Sequence, residues 1–218
     1  MVSWDDVYKI HGVIQKNPLD SVKALVELFK KEKVEKILDH CCGTGRHAKY
    51  LAESGFCVFG TDSSSSGIEI AKQLCKTLPV EFEICDMGEI PYSDGFFDAC
   101  IAVGSIHQGN TGQRENAFRE ITRVLKPLGL LFLEVMSIEH EFYRKGKPVP
   151  DDPGSFSPGS NSLPGEVRHY FSEEEIRSKL HGFDILSLEK ITKYYRPGGF
   201  FPNTFKGYDI LARKVEKG

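Results

Sequence analysis

The chain lacks any apolar run approaching the roughly 18 residues of a membrane-spanning helix. Its first residues, Val2-Ser3-Trp4-Asp5-Asp6, lack the basic and apolar regions of a secretory leader. It also lacks a charge excess. With 28 Lys and Arg against 31 Asp and Glu, the net charge is −3, and no strong electrostatic pull toward nucleic acid or a membrane surface follows. There is no C-x-x-C pair and no His, Cys and acid cluster at ligand spacing, so no metal is expected. The six cysteines are Cys41, Cys42, Cys57, Cys75, Cys85 and Cys100. Of these, Cys57, Cys85 and Cys100 lie in or beside apolar runs, the habit of reduced and buried thiols. A cytoplasmic location is the expectation. No repeat or linker divides the 218 residues. A single domain of this length can bury roughly 70% of its unfolded surface.

What is present is concentrated first in Val34 to His47. A short apolar strand, Ile37-Leu38, runs into Asp39; the turn Gly43-Thr44-Gly45 follows, and a helix opens at Arg46. Glycines let a main chain approach a ligand, and the first helical turn presents free N–H groups, so this is a cradle for a nucleotide-like ligand. Before it, Asn17-Pro18 reads as an N-cap and first helical proline, predicting a helix over 18–32 with Val22, Leu25, Val26 and Phe29 inward. After it come a helix over about 46–53 and a strand from Phe56 to Gly60 closing on Asp62. The next helix carries Ile70, Ala71 and Leu74 on one side. A strand over Val80 to Ile84 ends at Asp86-Met87, and the buried run Phe97 to Val103 is the next strand. A polar loop, a helix with Ala117, Phe118 and Ile121, the stop Lys126-Pro127-Leu128-Gly129 and a strand over Leu130 to Val135 complete the alternation. Strand and helix in alternation call for a parallel sheet with helices on both faces.

The pattern then changes. Residues 137–171 hold five of the eleven prolines and little periodicity, the signature of a functional loop. Ser172 to Glu175 reads as a capping box before a short helix with Ile176 and Leu180. Two strands, Phe183 to Ile191 and Phe205 to Val215, pair antiparallel across Pro197-Gly198-Gly199. The chain thus divides into an N-terminal lid and helix (1–33), a core (34–136), an insert (137–171) and a C-terminal helix and hairpin (172–218).

Three acids, Asp39, Asp62 and Asp86, fall at the carboxyl ends of three successive strands, the edge where open parallel sheets bind ligands. Asp62 lies where an acid meets a ribose diol, and Asp86 where one accepts from an exocyclic amino group. Asp39 stands where a positive ligand group can be met. The bland reading of each alone is a cap or turn former; three around one glycine turn favour a shared ligand. Gly43-Thr44-Gly45-Arg46-His47-Ala48 also fits the dinucleotide pattern G-x-G-x-x-G/A, which keeps an NAD-dependent oxidoreductase as a rival. An acid before the glycines and a closing antiparallel hairpin are not part of that plan.

Together these residues resemble the class I S-adenosylmethionine-dependent methyltransferases, of the type 11/12 small-molecule-like kind. The resemblance rests on Ile37 to Arg46, Val58 to Ser63, Asp86-Met87, Ile90 to Asp98, and Arg119 to Gly129. It covers 34–136 and, more loosely, 170–215. It implies an α/β fold: a Rossmann-like three-layer αβα sandwich with a seven-stranded, mostly parallel sheet and an antiparallel C-terminal strand. It implies S-adenosyl-L-methionine as cofactor, with Asp62 on the ribose, Asp86 on the adenine and Gly43 and Gly45 admitting the methionine end. Asp39 falls near the cofactor amino group or the turn, and Cys41, Ser63, Met87, Val103 and Gly104 line the same site. Two positions depart from the family: Cys41 and Leu128 stand where glycine is usual. A cysteine at positive φ is strained by about 1–2 kcal/mol, so Cys41 is expected to be extended, with its side chain at the pocket edge; a reactive Cys41-Cys42 pair is the rival reading.

Methyl transfer from a sulfonium needs alignment above all. Where a base is needed, His107 is the candidate, against the bland reading of a packed loop histidine. His140, His169 and Tyr170 flank the insert as weaker candidates. Trp4 and Tyr8 form either a lid over the pocket or a plug at the sheet edge. Exocyclic-amino nucleic-acid methylation usually wants an acid, amide or serine followed by Pro-Pro-aromatic after the fourth strand. This chain has Gly104-Ser105-Ile106-His107 there. A small-molecule acceptor is therefore expected. A tRNA- or RNA-modifying enzyme and a non-catalytic cofactor-binding partner are the alternatives. The basic group Lys190, Lys193 and Arg196 reads as a solvated strand face, so nucleic acid is not indicated. A monomer or homodimer is expected.

Overall fold

The computed structural model describes residues 3–158, 167–195 and 204–216. A seven-stranded sheet runs in the order β3-β2-β1-β4-β5-β10-β9. Its strands are β1 (Lys36–His40), β2 (Cys57–Asp62), β3 (Val80–Ile84), β4 (Phe97–Val103), β5 (Leu125–Met136), β9 (Phe183–Tyr194) and β10 (Thr204–Lys214). The first five pair parallel, and β10 is antiparallel to both β5 and β9. Strand order therefore reverses between β1 and β4, and the glycine turn leaves the sheet there.

Helices cover both faces. On one face α2 (Asp20–Lys31), α3 (Arg46–Glu53) and α4 (Ser65–Leu74) bury Val22, Phe29, Leu51 and Ile68 against Ile37, Val58 and Ile101. On the other, α5 (Thr111–Val124) and α6 (Glu173–Lys179) bury Phe118, Ile121 and Ile176 against Leu38, Phe97 and Leu133. Full burial of one such side chain contributes about 1.5–3 kcal/mol. A third apolar group, Met136, Tyr170 and Phe205 with Phe142, Tyr143 and Phe156, packs the insert onto the end of β5.

Several expectations shift. Helix α2 begins at Asp20, with Leu19 as an N-cap that makes no side-chain bond. Asn17 does not cap it, because its carbonyl faces Arg46 Nη1 at 3.4 Å and the Leu19 N–H faces His47 Nε2 at 3.4 Å. The buried face of α4 is Gly67, Ile68 and Ala71, while Leu74 is exposed. β5 starts at Leu125: the chain leaves α5 directly, pairs Leu125 with Phe97, and bulges before Leu130 pairs with Ala99. Cys57 is exposed and Cys85 half-buried, since both sit at sheet margins; Cys100 is buried. Within the N-terminal segment, residues 4–11 form a helix not predicted from sequence, α1 (Trp4–His11), and Ser3 with Asp6 completes a reciprocal capping box. The insert holds a three-stranded antiparallel sheet, β6 (Gly146–Pro148), β7 (Ser155–Pro158) and β8 (Arg168–His169). At α6, Ser172 caps the Glu175 N–H, but the Glu175 carboxylate turns to His169 Nε2 at 2.9 Å instead of closing the box. Pro197-Gly198-Gly199 and Arg196 lie outside the described residues.

Candidate functional site: a glycine cradle under a helical clamp

Gly43 and Gly45 take φ of +56° and +80°. A Cβ at Gly45 would come 2.8 Å from Ala71 Cβ, so glycine there serves both the left-handed turn and the close approach of α3 to α4. Asp39 is 1% exposed, and its Oδ2 accepts from the Ala48 N–H at 2.9 Å. Burial pushes its carboxyl up to about 7, against the pull of that bond. Of the two places left open for Asp39, the structure gives it the turn.

Cys41 overturns the expectation of an extended backbone: its φ is 57°. The chain must fold back at once from β1, because the Cys42 N–H donates to Thr61 O at 2.8 Å and the Gly45 N–H to Cys42 O at 3.0 Å. Leu128, the second departure, takes φ 62°. Burial raises both the Cys41 and Cys42 thiols well above their ordinary value, with Asp62 adding to the effect at Cys41. Both thiols are unpaired. Neither is poised as a thiolate, which removes the support for a reactive pair.

Asp62 organises the cradle. Its Oδ2 accepts from the Gly43 N–H at 2.7 Å and its Oδ1 from the Ser64 N–H at 2.9 Å. Burial raises its carboxyl, while the backbone bonds of Ser64, Gly43 and Ser63 hold it down. Ser63 itself is exposed beside it. Asp86 is exposed at the end of β3 and is aimed by the Gly88 N–H at 2.9 Å and by Gln113 Nε2 at 3.1 Å. Met87 is half-buried, and its carbonyl accepts from His40 Nε2 at 3.0 Å. That fixes the His40 tautomer, so Nδ1 accepts from the Thr61 hydroxyl at 2.9 Å. Val103 and Gly104 close the β4 side; Gly104 has φ +68° and donates to Glu134 O at 3.0 Å. A turn at two left-handed glycines, a fixed carboxylate on β2 and an exposed one beyond β3 suit an adenosine-bearing ligand.

Helix α1 clamps this edge. Tyr8 stands over the turn: a Cβ at Gly43 would lie 2.5 Å from its hydroxyl, and one at Gly67 3.0 Å from its ring. The Trp4 indole N–H donates to Gln108 Oε1, in the loop after β4. Asp5 accepts from Ser64 Oγ and the Ser66 N–H at 2.8 Å each, at the start of α4. One helix thereby spans the loops after β1, β2 and β4. Asp5 and Gln108 were not singled out from sequence; the Ser3-to-Asp6 box was the available signal for the helix carrying Asp5.

The other predicted residues gather elsewhere. His107 and His140 are each 3% exposed and Tyr170 is 1%. His107 and His140 lie 6.4 and 5.9 Å from the Phe205 ring, and Tyr170 lies 5.7 Å from His140. The insert pins this loop through the His169 N–H, which donates to His107 O at 2.7 Å. Burial lowers His107 to about 3 and His140 to about 4. A buried imidazole so hard to protonate is a poor proton store, so the base reading of His107 is weakened and a neutral hydrogen-bonding reading gains. Nearby, Lys193 pairs with the buried Glu134, and Lys190 with Glu139 at 2.5 Å. These lysines carry ion pairs and do not form an open basic patch. Among the described residues no three His, Cys, Asp or Glu side chains gather as a metal set.

Sheet order, reversed last strand and glycine cradle define the class: a Rossmann-like fold of the class I methyltransferase type. Residues 37–129 match the family model described as a methyltransferase domain. A solved S-adenosylmethionine-dependent methyltransferase from Methanosarcina mazei shares the fold with TM-score 0.72 and 22% identity, over 96% of this chain and 98% of that one. The tRNA (carboxymethyluridine(34)-5-O)-methyltransferase of Xenopus tropicalis is 32% identical over 130 residues, 58% of this chain and 20% of that protein. Methyltransferase GfsG of Streptomyces halstedii is 28% identical over 182 residues, 81% and 62% respectively. The chain spans less than two thirds of either relative.

Proposed function

We propose that the protein binds S-adenosyl-L-methionine and transfers its methyl group to a small-molecule acceptor. One observation carries the reading: a polar cradle that suits an adenosine-bearing ligand stands at the carboxyl edge of the sheet, where the strand order reverses. The Trp4–Gln108 and His169–His107 contacts tie α1 and the insert to the loop after β4 beside it. The bound cofactor would supply an activated methyl on a sulfonium. The chain's own part is positioning. Asp62 fixes the turn on the ribose side, and Asp86 faces the adenine. The left-handed turn at Gly43 and Gly45 sets the main-chain path beside the methionine end, and α1, with Tyr8 over Gly43, excludes water together with the insert. Six unpaired thiols support a reducing compartment such as the cytoplasm.

A second reading, methylation of tRNA, draws support from the relative named for that reaction; its 20% coverage and the paired lysines speak against it. The test has two stages. Calorimetry with S-adenosylmethionine, S-adenosylhomocysteine and NAD should show binding of the first two alone. A labelled-methyl screen over metabolites and bulk tRNA should then label a small molecule. Label in tRNA alone selects the second reading, and binding without label in either pool makes the protein a cofactor-binding partner.

A further inference from the structure

A cavity of about 330 Å³ opens between α5, the insert turn at residues 151–153 and α6. It is separate from the cradle. Along α5, Gln113 donates to Asp86 and Asn116 lies against Gly88, whereas Thr111, Arg114, Glu115 and Phe118 line the cavity. At 3.6 residues per turn these two sets stand on opposite flanks of the helix. In the cavity wall Arg114 and Asp152 form a buried ion pair, Nη2 to Oδ1 at 2.6 Å. The other donors of the wall are engaged within the fold. Arg114 Nη1 donates to Gly109 O at 2.8 Å, His169 is hydrogen-bonded to Ser155 through one nitrogen and to Glu175 through the other, and Lys179 pairs with Glu115. Asp152 Oδ2 is left over. It is buried, on a residue only 6% exposed, and has no hydrogen-bond partner. Burial works to raise its carboxyl, but Arg114 with the Thr111 and Ser155 hydroxyls outweighs burial and holds it below the ordinary value, so Asp152 is a carboxylate at neutral pH. Neither hydroxyl bonds Oδ2. Buried polar atoms are nearly always paired, and an unpaired charged oxygen is costly, so Oδ2 points to a donor from outside the fold.

The lining selects that donor. Asp151, Asp152, Glu115 and Glu175 set four carboxylates against two permanent cations, Arg114 and Lys179, which leaves an excess of two negative charges. An anion is repelled there. Among the described residues these acids do not converge as a metal set, so a compact metal ion is a poor fit. Phe118 and Phe171 give the wall an apolar stretch on which methylene groups can pack. The volume lies at the small end of ligand pockets, which run from about 300 to 1,000 Å³. Two positive ends on a short apolar body match these features.

We propose that this cavity is a second binding site that takes a short aliphatic diamine, with one ammonium donating to Asp152 Oδ2, the other meeting the Glu175 carboxylate at the rim, and the methylenes against Phe118 and Phe171. The site lies across α5 from the cradle. It is independent of the methyl-transfer reading, and neither needs the other.

The test uses the full chain and a matched pair of probes, 1,4-diaminobutane and 1,4-butanediol, which differ in their charged ends alone. Calorimetry is run with and without S-adenosylhomocysteine. The diamine should bind about tenfold or more tighter than the diol in both conditions. Asp152→Asn should lower diamine affinity by about tenfold or more and keep S-adenosylhomocysteine affinity within about twofold. If loss of the Arg114 pair unfolds that variant, Glu175→Gln carries the test. It keeps an acceptor for His169 and removes only the rim charge, so diamine affinity should fall several-fold with an unchanged melting temperature. Equal binding of the two probes overturns the proposal, as does absence of diamine binding, or a folded variant of either kind with undiminished diamine affinity. Displacement of the diamine by magnesium chloride at matched ionic strength makes this a metal-ion site and overturns the ammonium assignment. Displacement by S-adenosylhomocysteine places the diamine in the cradle and overturns the second site.

Discussion

The two halves of the binding edge bury polar groups in opposite ways. On the β1–β2 side every buried functional group found its partner within the fold. Asp39 holds α3, Asp62 holds Gly43 and Ser64, and His40 uses both ring nitrogens on Thr61 and Met87. On the side of the insert, His107 and His140 are as deeply buried and as neutral, yet each leaves one nitrogen unmatched. The first half is preorganised: its groups hold the loop that a ligand will meet. The second half carries two buried ring nitrogens that the fold leaves unpaired, so its burial costs stability where that of the first half does not.

Acidification tests this contrast with the largest expected effect. Histidines whose folded pKa lies below the ordinary 6.5 bind more protons when unfolded, so their stability contribution is intact above pH 6.5 and is lost as pH falls toward the folded value. His107 at about 3 and His140 at about 4 each forfeit about 2 kcal/mol by pH 5. His40, at about 4, and His47, well below its ordinary value, add to the loss from the first half. Denaturant melts at pH 7.5 and 5 should show the double variant H107L/H140F recovering about 4 kcal/mol of that difference. An unchanged difference would mean that these two rings are not the buried neutral groups seen here.

On the preorganised side, Asp62→Ala should be the most damaging single change to ligand binding. It removes the acceptor of two backbone N–H groups, worth about 3 kcal/mol together, so S-adenosylhomocysteine affinity should fall roughly 100-fold by calorimetry. A drop of twofold or less would show that the turn holds its shape without Asp62.

The same division explains what the sequence made legible. Sheet, helices and glycine cradle were readable because period, turn and strand-end acid all lie within a few residues of one another. The aromatic cluster under the insert was not readable. His107, His140, Tyr170 and Phe205 come together only when the insert folds as β6–β8 and packs on β5 and β10, and no local pattern encodes that. The insert itself read as irregular because its strands have two to four residues, too few to show a period. Cys41 failed for a different reason. The cost of a left-handed cysteine argued for an extended backbone, and the tertiary bonds of Cys42 and Gly45 outweighed that local cost.

Strain of that kind is relieved by glycine, and Leu128 is the cleaner place to measure it, being 50% exposed with φ 62°. Leu128→Gly should stabilise by about 1 kcal/mol, a rise of about 2–4 °C in Tm. Cys41→Gly at the cradle should gain less, because its side chain is half-buried beside Ser105 and loses contacts. A gain at Leu128 with a loss at Cys41 would assign the Cys41 side chain a packing role in the cradle.

The smallest effect concerns the clamp joining the halves. Asp5 receives N–H and O–H groups from the start of α4, and with Lys9 beside it, its carboxyl is held well below the ordinary 3.8. A carboxylate with a lowered folded pKa contributes its full share above pH 3.8 and loses it as pH falls further. At neutral pH the latch is therefore closed and insensitive to pH, and Asp5→Ala should open it without unfolding the sheet. Amide exchange should rise in residues 4–11 and in Ser64 to Ser66, with Tm lowered by no more than a degree or two. If α1 is only a plug, S-adenosylhomocysteine affinity stays level as exchange rises. If α1 is a lid over the cradle, affinity falls several-fold as the Trp4–Gln108 contact is lost with the helix.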